Sequence, residues 1–164
     1  MKNEITIREY KSSDYKSLVE FMEELQDYLV GIDPLKSIIK WKKYGEIYSK
    51  DLLKKIKKNN GIIYFAEYKN KPVGCIAGNY LKPSLIERIS NKVAMEGSVL
   101  ELFVEPEFRN KQIGRMLIKK LEEYFKKKKC RLSTVAVFYP NKNAYDFYKK
   151  GGYDERMIHM IKKI

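Results

Sequence analysis

Cysteine and histidine are scarce in this chain of 164 residues: Cys75 and Cys130 stand in no CxxC spacing, and His159 is alone. That scarcity argues against a disulfide framework or a structural zinc site, predicts no bound metal, and points to a reducing, cytoplasmic setting. Long apolar runs are missing as well. None approaches the roughly 18 residues of a membrane span, so no membrane partner is expected. The alternating Ile5-Thr6-Ile7-Arg8-Glu9-Tyr10 reads as a strand and predicts no export signal. Neither an internal repeat nor a low-complexity linker interrupts the chain, which is read as one domain over residues 1–164, long enough to bury a core. Acidic side chains are in deficit, 21 against 34 basic ones, for a net charge of +13. Such a balance suits nucleic acid. The lysines are spread over helical solvent faces, however, as in Lys54-Lys55 and Lys57-Lys58, and that pattern disfavours a nucleic-acid partner.

What is present is periodic. A strand is predicted over residues 4–10. Ser12-Ser13-Asp14 offers helix caps, and Leu18, Phe21, Met22, Leu25, Tyr28 and Leu29 repeat at helical spacing up to Gly31. Asp33-Pro34 interrupts, a second helix is predicted over 41–57, and Asn60-Gly61 ends it. Strands at 62–68 and 73–78 flank Lys69-Asn70-Lys71-Pro72 as a hairpin. Residues 82–97 are polar and read as a loop or short helix able to move. Charge is unevenly placed: residues 108–131 hold ten basic side chains (Arg109, Lys111, Arg115, Lys119, Lys120, Lys126, Lys127, Lys128, Lys129, Arg131) against Glu122 and Glu123. Residues 14–35 hold Asp14, Glu20, Glu23, Glu24, Asp27 and Asp33 against Lys16 alone. A basic end and an acidic end suit an anionic co-substrate and a cationic acceptor.

The most informative stretch runs from Val99 to Tyr153. The apolar strand 99–104 leads through Glu105-Pro106-Glu107-Phe108, read as surface turn residues at both glutamates, into the loop Arg109-Asn110-Lys111-Gln112-Ile113-Gly114. That loop opens a helix whose stripe Ile113, Met116, Leu117, Leu121, Tyr124 and Phe125 must pack on a sheet. Lys126 to Lys129 end it, where the dipole favours cations. A strand at 132–138 and Pro140-Asn141-Lys142-Asn143-Ala144-Tyr145-Asp146-Phe147-Tyr148 follow, and the unit closes on Gly151-Gly152-Tyr153. A strand feeding a glycine-containing loop at a helix N-terminus is an anion site, because free backbone N–H groups and the positive dipole end converge there.

These residues resemble the GNAT superfamily, the Gcn5-related N-acetyltransferases. The family's Arg/Gln-x-x-Gly-x-Gly/Ala reads Arg109-x-x-Gln112-x-Gly114, and its Asn-x-x-Ala-x-x-x-Tyr-x-x-x-Gly-Phe/Tyr reads Asn141, Ala144, Tyr148, Gly152 and Tyr153. Gln112 stands where the family has its first loop glycine, so close approach to phosphates falls to Asn110 and Gly114. The resemblance implies an α/β single-domain GNAT-like fold: a central mixed, mostly antiparallel twisted sheet flanked by helices, in the order β-α-α-β-β-β-α-β-α-β. It implies acetyl-CoA as co-substrate, held by backbone of Leu102, Phe103 and Val104, by the loop Arg109, Asn110, Lys111, Gln112, Ile113, Gly114 and Arg115, and by Asn141, Asn143 and Tyr148. Strand 99–104 would splay from its neighbour through a bulge, with the Leu102 N–H facing the thioester oxygen and Val104 holding pantetheine.

An acetyl thioester needs an uncharged amine, an oxyanion donor and a proton for the departing sulfur. Alkyl amines near pKa 10.4 arrive protonated and require a base. Tyr148 aligns with the family's general acid. The base is left open among Glu101, Glu96, solvent and a tyrosine such as Tyr28. A nucleophilic Cys130 with His159 is disfavoured, since no orienting group is apparent. The expected function is N-acetyl transfer from acetyl-CoA to a primary amine in a ternary complex. Polyamines, aminoglycosides, lysine side chains and protein N-termini are candidate acceptors. A non-catalytic CoA-binding module and an acetyltransferase acting on an RNA-bound amine are the alternatives, and a homodimer is compatible with the resemblance. Acetyl-CoA or CoA at a hundredfold excess over Kd should stabilise the protein by about 2.7 kcal/mol, read as a rise of several degrees in Tm. ATP should leave Tm unmoved, and no shift with either CoA compound would remove the acyltransferase reading.

Overall fold

The computed structural model describes residues 4–90, 92 and 95–162. Strand β1 (Ile5–Glu9) is followed by helix α1 (Tyr15–Ile32), α2 (Tyr44–Lys58), β2 (Ile62–Tyr68), β3 (Lys71–Leu81), a short α3 (Leu85–Ser90), β4 (Glu96–Val104), α4 (Ile113–Lys127), β5 (Leu132–Val135) and α5 (Lys142–Lys150). The sheet order is β1-β2-β3-β4-β5. The first four strands are antiparallel in sequence, and β4 with β5 is the one parallel pair among the described residues. The α/β class with a mixed, mostly antiparallel sheet flanked by helices is thus the one the sequence predicts.

Period-two alternation sorts the side chains onto two faces. Ile63, Phe65, Cys75, Ala77 and Phe103 meet Leu18, Phe21, Met22 and Leu52 of α1 and α2 on one side. Tyr64, Ala66, Ile76 and Val99 meet Ile113, Leu117, Leu121 and Phe125 of α4 on the other, joined by Tyr148 of α5. Lys69 and Asn70 close the β2–β3 hairpin with φ of 48° and 62°, the left-handed pair that two-residue hairpins favour. Pro72 sits at the adjoining register shift, opposite Glu67, where a missing N–H is tolerated.

Several boundaries depart from the sequence reading. The expected final strand after Tyr153 is absent among the described residues, so the order closes on α5. The reason is visible in the tail: Met157-Ile158 and Met160-Ile161 come in adjacent pairs, which cannot line one face of a strand, and all four are at least 70% exposed. The predicted strand 132–138 stops at Val135, because β4 no longer offers a partner beyond Val99. Helix α1 runs through Gly31 to Ile32. The polar segment 82–97 contributes α3 and the first residues of β4, while its residues 91, 93 and 94 lie outside those described.

Two glycines seat α4. A Cβ on Gly97 would lie 2.4–2.6 Å from three ring atoms of Phe125, and one on Gly78 would lie 2.7 Å from Leu121. Both partners are buried. Gly97→Ala is therefore expected to cost about 1–3 kcal/mol by overpacking, more than alanine returns through chain entropy. Thermal denaturation should show Tm lowered by several degrees, and an unchanged Tm would disprove the tight seat.

Candidate active site

Beyond Val99 the two parallel strands part. Pairing covers Glu96–Val99 with Leu132–Val135 only, which leaves the second half of β4 bare on that side. A register shift accompanies the parting: Ala77 faces Glu101 and Gly78 faces Val99, so Leu100 is an extra residue, a bulge. The bulge settles where Glu101 points. Leu100 packs with the α1/α2 core, and Glu101, next in sequence, lies on that same face and lines a cavity there. Leu102 returns to the α4 face.

Backbone direction follows from two bonds. The Glu105 N–H donates to Val73 of β3 at 3.0 Å, so odd-numbered backbone groups at this end face β3. Alternation then turns those of Leu102 and Val104 into the gap. The Val104 carbonyl indeed takes no strand partner there; it accepts Arg109 Nε at 2.9 Å. Phe103 offers the gap neither backbone nor side chain: its backbone groups face β3, and its ring stacks on Phe21 at 4.9 Å in the core.

The loop below the gap has the geometry of an anion cradle. Asn110 (φ 59°) and Gln112 (φ 65°) are both left-handed, the region glycine prefers. Gln112 makes no side-chain cap. The first helical bond runs from Met116 N–H to the Gln112 carbonyl at 3.0 Å, leaving the N–H groups of Ile113, Gly114 and Arg115 outside the helical ladder. Arg109, Lys111 and Arg115 are exposed around them, while the Ile113 side chain is core. Gly114 serves packing: a Cβ there would come within 3.2–3.3 Å of Phe147 of α5. These residues fit a pyrophosphate.

Asn141 caps α5, its Oδ1 accepting the Ala144 N–H at 3.1 Å and the Tyr28 hydroxyl at 3.3 Å. That bond ties α1 to the far wall of the gap. Asn143 is exposed on the first turn of α5. Tyr148 is buried, edge-on to Phe147 and Tyr153 at 5.1 and 5.3 Å. Tyr153 is anchored by Ser133 Oγ at 2.7 Å and Glu122 at 3.2 Å. Burial, then Tyr153 and Glu101, push the Tyr148 phenol well above its ordinary pKa.

Glu96 is not brought to them. It opens β4 five residues before Glu101, opposite Leu81 and Leu132, with its carboxylate 3.3 Å from Arg156. Glu101 has a partner that sequence reasoning missed: the hydroxyl of Tyr48, from α2, donates to its Oε1. Burial raises the Glu101 carboxyl, opposed by that bond and by Lys55. Tyr48 stacks on Tyr44 at 5.4 Å. Met22, Leu25, Gln26 and Leu29 of α1 complete a cavity of about 60 Å³ with Tyr44, Tyr48 and Glu101. An aromatic pair four residues apart was the only sequence signal for this wall.

The acidic segment of α1 is largely engaged. Asp14 is bound by Arg8 at 2.7 and 2.8 Å. Asp33 accepts the backbone N–H groups of Leu35, Ser37 and Ile38, and Lys40 pairs with Glu23 and Asp27. Neither cysteine is an activated thiol: burial pushes both Cys75 and Cys130 up, the direction that disfavours thiolate.

Comparison with known proteins agrees. The sequence pattern of the family described as "Acetyltransferase (GNAT) family" matches residues 18–153. An uncharacterized N-acetyltransferase of Methanocaldococcus jannaschii is 34% identical over 164 residues, spanning 97% of this chain and 67% of that protein. Among solved structures, a GCN5-related N-acetyltransferase from Ralstonia eutropha superposes with a TM-score of 0.71 at 18% identity, covering 98% of each chain. A predicted acetyltransferase from Clostridium acetobutylicum, solved with acetyl-CoA, gives 0.71 at 19% identity over 97% of this chain and 96% of that one. At such identities the structures speak to the fold.

The raised Glu101 pKa has a stability consequence. A carboxyl that holds its proton more tightly when folded favours the fold at low pH and loses that advantage as pH rises from its unfolded value, near 4.3, through the folded one. Glu101→Gln should therefore melt above the parent protein at pH 8, with the difference shrinking toward pH 4. A difference that grows on acidification would contradict a buried, desolvated carboxylate.

Proposed function

The chain belongs to the GNAT family of acetyltransferases, and on that premise we propose that it transfers an acetyl group from acetyl-CoA to a primary amine by direct attack in a ternary complex. The observation that supports this reading is the end of the β4–β5 pairing at Val99, with the Leu100 bulge turning Glu101 onto the α1/α2 face. The loop 109–114 and the α4 N-terminus bind the pyrophosphate. Arg109 exchanges the Val104 carbonyl for a phosphate, which frees that carbonyl for the pantetheine amide. The Leu102 N–H receives the thioester oxygen, a backbone donation worth ~3 kcal/mol where charge develops.

Glu101 removes one proton from the bound ammonium through the oxygen that Tyr48 does not occupy. The amine nitrogen then bonds to the acetyl carbon, and the carbon–sulfur bond breaks. Tyr148 protonates the departing sulfur, and the second nitrogen proton is released, so amide, CoA thiol and one net proton result. Cys75 and Cys130, with thiols pushed up by burial, take no part, and no acetyl-enzyme forms.

Tyr148→Phe should lower kcat roughly 10- to 1,000-fold with little change in the KM for acetyl-CoA, since the ring stays packed between Phe147 and Tyr153. A variant with unchanged kcat and pH profile would remove Tyr148 as the acid.

A further inference from the structure

Glu101 is held by one oxygen. Its Oε1 accepts the Tyr48 hydroxyl, and its Oε2 makes no hydrogen bond among the described residues. Tyr48, in contrast, is firmly placed. Its helix docks on α1 at Gly45, whose N–H donates to Glu23 Oε1 at 2.6 Å. A Cβ on Gly45 would lie 2.5 Å from the Val19 carbonyl oxygen, so the two helices meet backbone to backbone one turn before Tyr48. Ser49 and Leu52, which follow it on the inner face of α2, are 0% and 2% exposed. Tyr44 stacks on the Tyr48 ring at 5.4 Å with the planes 13° apart, the contact that helix neighbours four apart can make. Burial, and then the Glu101 charge, push the Tyr48 phenol well up, so it remains a donor through neutral pH. The other groups around Glu101 act without a hydrogen bond. Lys55 of α2 favours the carboxylate by its charge. The Glu101 charge adds, after burial, to the rise of Tyr44 in α2, Cys75 in β3 and Tyr148 in α5. From α1 the cavity is lined by Met22, Leu25, Gln26 and Leu29, none of which titrates.

We propose that Tyr48 is the positioning residue of the base: docked on α1 through its helix, it fixes the Glu101 carboxylate by one oxygen and leaves the other for the acceptor's proton. The proposal rests on Glu101 being the base. Tyr48 touches neither substrate nor acetyl-CoA in this role and acts through Glu101 alone. One bond then has two effects. A glutamate side chain loses much rotamer freedom when it is fixed, and the bond supplies that order before the acceptor arrives, so the proton is taken from a set geometry. A hydrogen bond donated to the charged form also favours that form, here against burial. Loss of the hydroxyl therefore lowers the rate plateau and moves the loss of the base's activity to higher pH. A tyrosine that merely packed against Tyr44 would do neither.

The test is Tyr48→Phe in the full chain, which keeps the ring against Tyr44 and removes only the hydroxyl. Carbon-13 NMR of protein labelled at the glutamate carboxyls reads the ionisation of Glu101 directly, with its signal assigned by its loss in Glu101→Gln. The expected result is a Glu101 titration midpoint at higher pH in Tyr48→Phe than in the parent. CoA-thiol release from acetyl-CoA is followed against pH with n-butylamine, spermidine and Nα-acetyl-lysine methylamide, and the fastest of these is kept as the probe. The acid limb of kcat/KM, which reports the base of the free enzyme, should move up with the NMR midpoint. At its low-pH end the variant should fall roughly tenfold further below the parent than it does on the plateau, while the KM for acetyl-CoA stays unchanged. A midpoint and an acid limb that both stay in place overturn the role of Tyr48 and leave Glu101 as the base. A midpoint that moves without the acid limb, or a Glu101→Gln variant as fast as the parent, overturns the base reading itself and this inference with it. No CoA release with any of the three amines, with acetyl-CoA still raising Tm, overturns both as well.

Discussion

The site depends on a broken pairing. A strand in a sheet normally spends its backbone groups on two neighbours, and buried backbone left unpaired is costly. Here β4 gives up its β5 partner after Val99. The bulge at Leu100 both ends the ladder and rotates the side chains that follow. One extra residue thus opens the gap, turns the Leu102 and Val104 backbone into it, and places Glu101 against α1 and α2. In the protein alone, Arg109 satisfies the Val104 carbonyl, so the exposed acceptor is stabilised by the same cation that a phosphate would claim. Exchange of one partner for another costs far less than creating a naked carbonyl would.

That gap would be useless without a fixed anion cradle beneath it, and the cradle is fixed by α4. Gly78 and Gly97 let Leu121 and Phe125 sit close against β3 and β4. The helix therefore cannot slide along the sheet, and its N-terminus stays at the end of β4. Gly114 continues the logic outward by admitting Phe147 of α5. The three small residues act as registration points between layers. The left-handed Asn110 and Gln112 are the strained cost of turning from β4 into that helix within a few residues.

Most of this frame was legible in the chain. Alternation identified the strands, the apolar stripe fixed the buried face of α4, and the Asn141-to-Tyr153 pattern located a helix cap and a phenol that the structure buries against Phe147 and Tyr153. What could not be read has a common cause: it depends on contacts distant in sequence. Tyr48 and Glu101 are 53 residues apart, and the direction of Glu101 hangs on a bulge that no local pattern announces. The acidic run of α1 looked like a binding surface because its partners, Arg8, Lys40 and the turn after Asp33, are outside the helix itself. The missing last strand failed for a local reason instead, since paired apolar residues mimic strand hydrophobicity without its period.

Burial acts on Glu101 and Tyr148 at once, and in the acid and base roles proposed for them one environment would serve both. Desolvation raises a carboxyl and a phenol alike. For Glu101 this narrows the distance to an alkylammonium near pKa 10.4, and each unit closed removes about 1.4 kcal/mol from an uphill proton transfer. Tyr148 is driven further from ionisation, which in its proposed role would keep its proton in place until a thiolate forms. Tyr48 sets the limit on the first effect. Its hydrogen bond stabilises the carboxylate and opposes desolvation. The Tyr48 hydroxyl therefore acts against burial, and the Glu101 carboxyl rises less than desolvation alone would raise it.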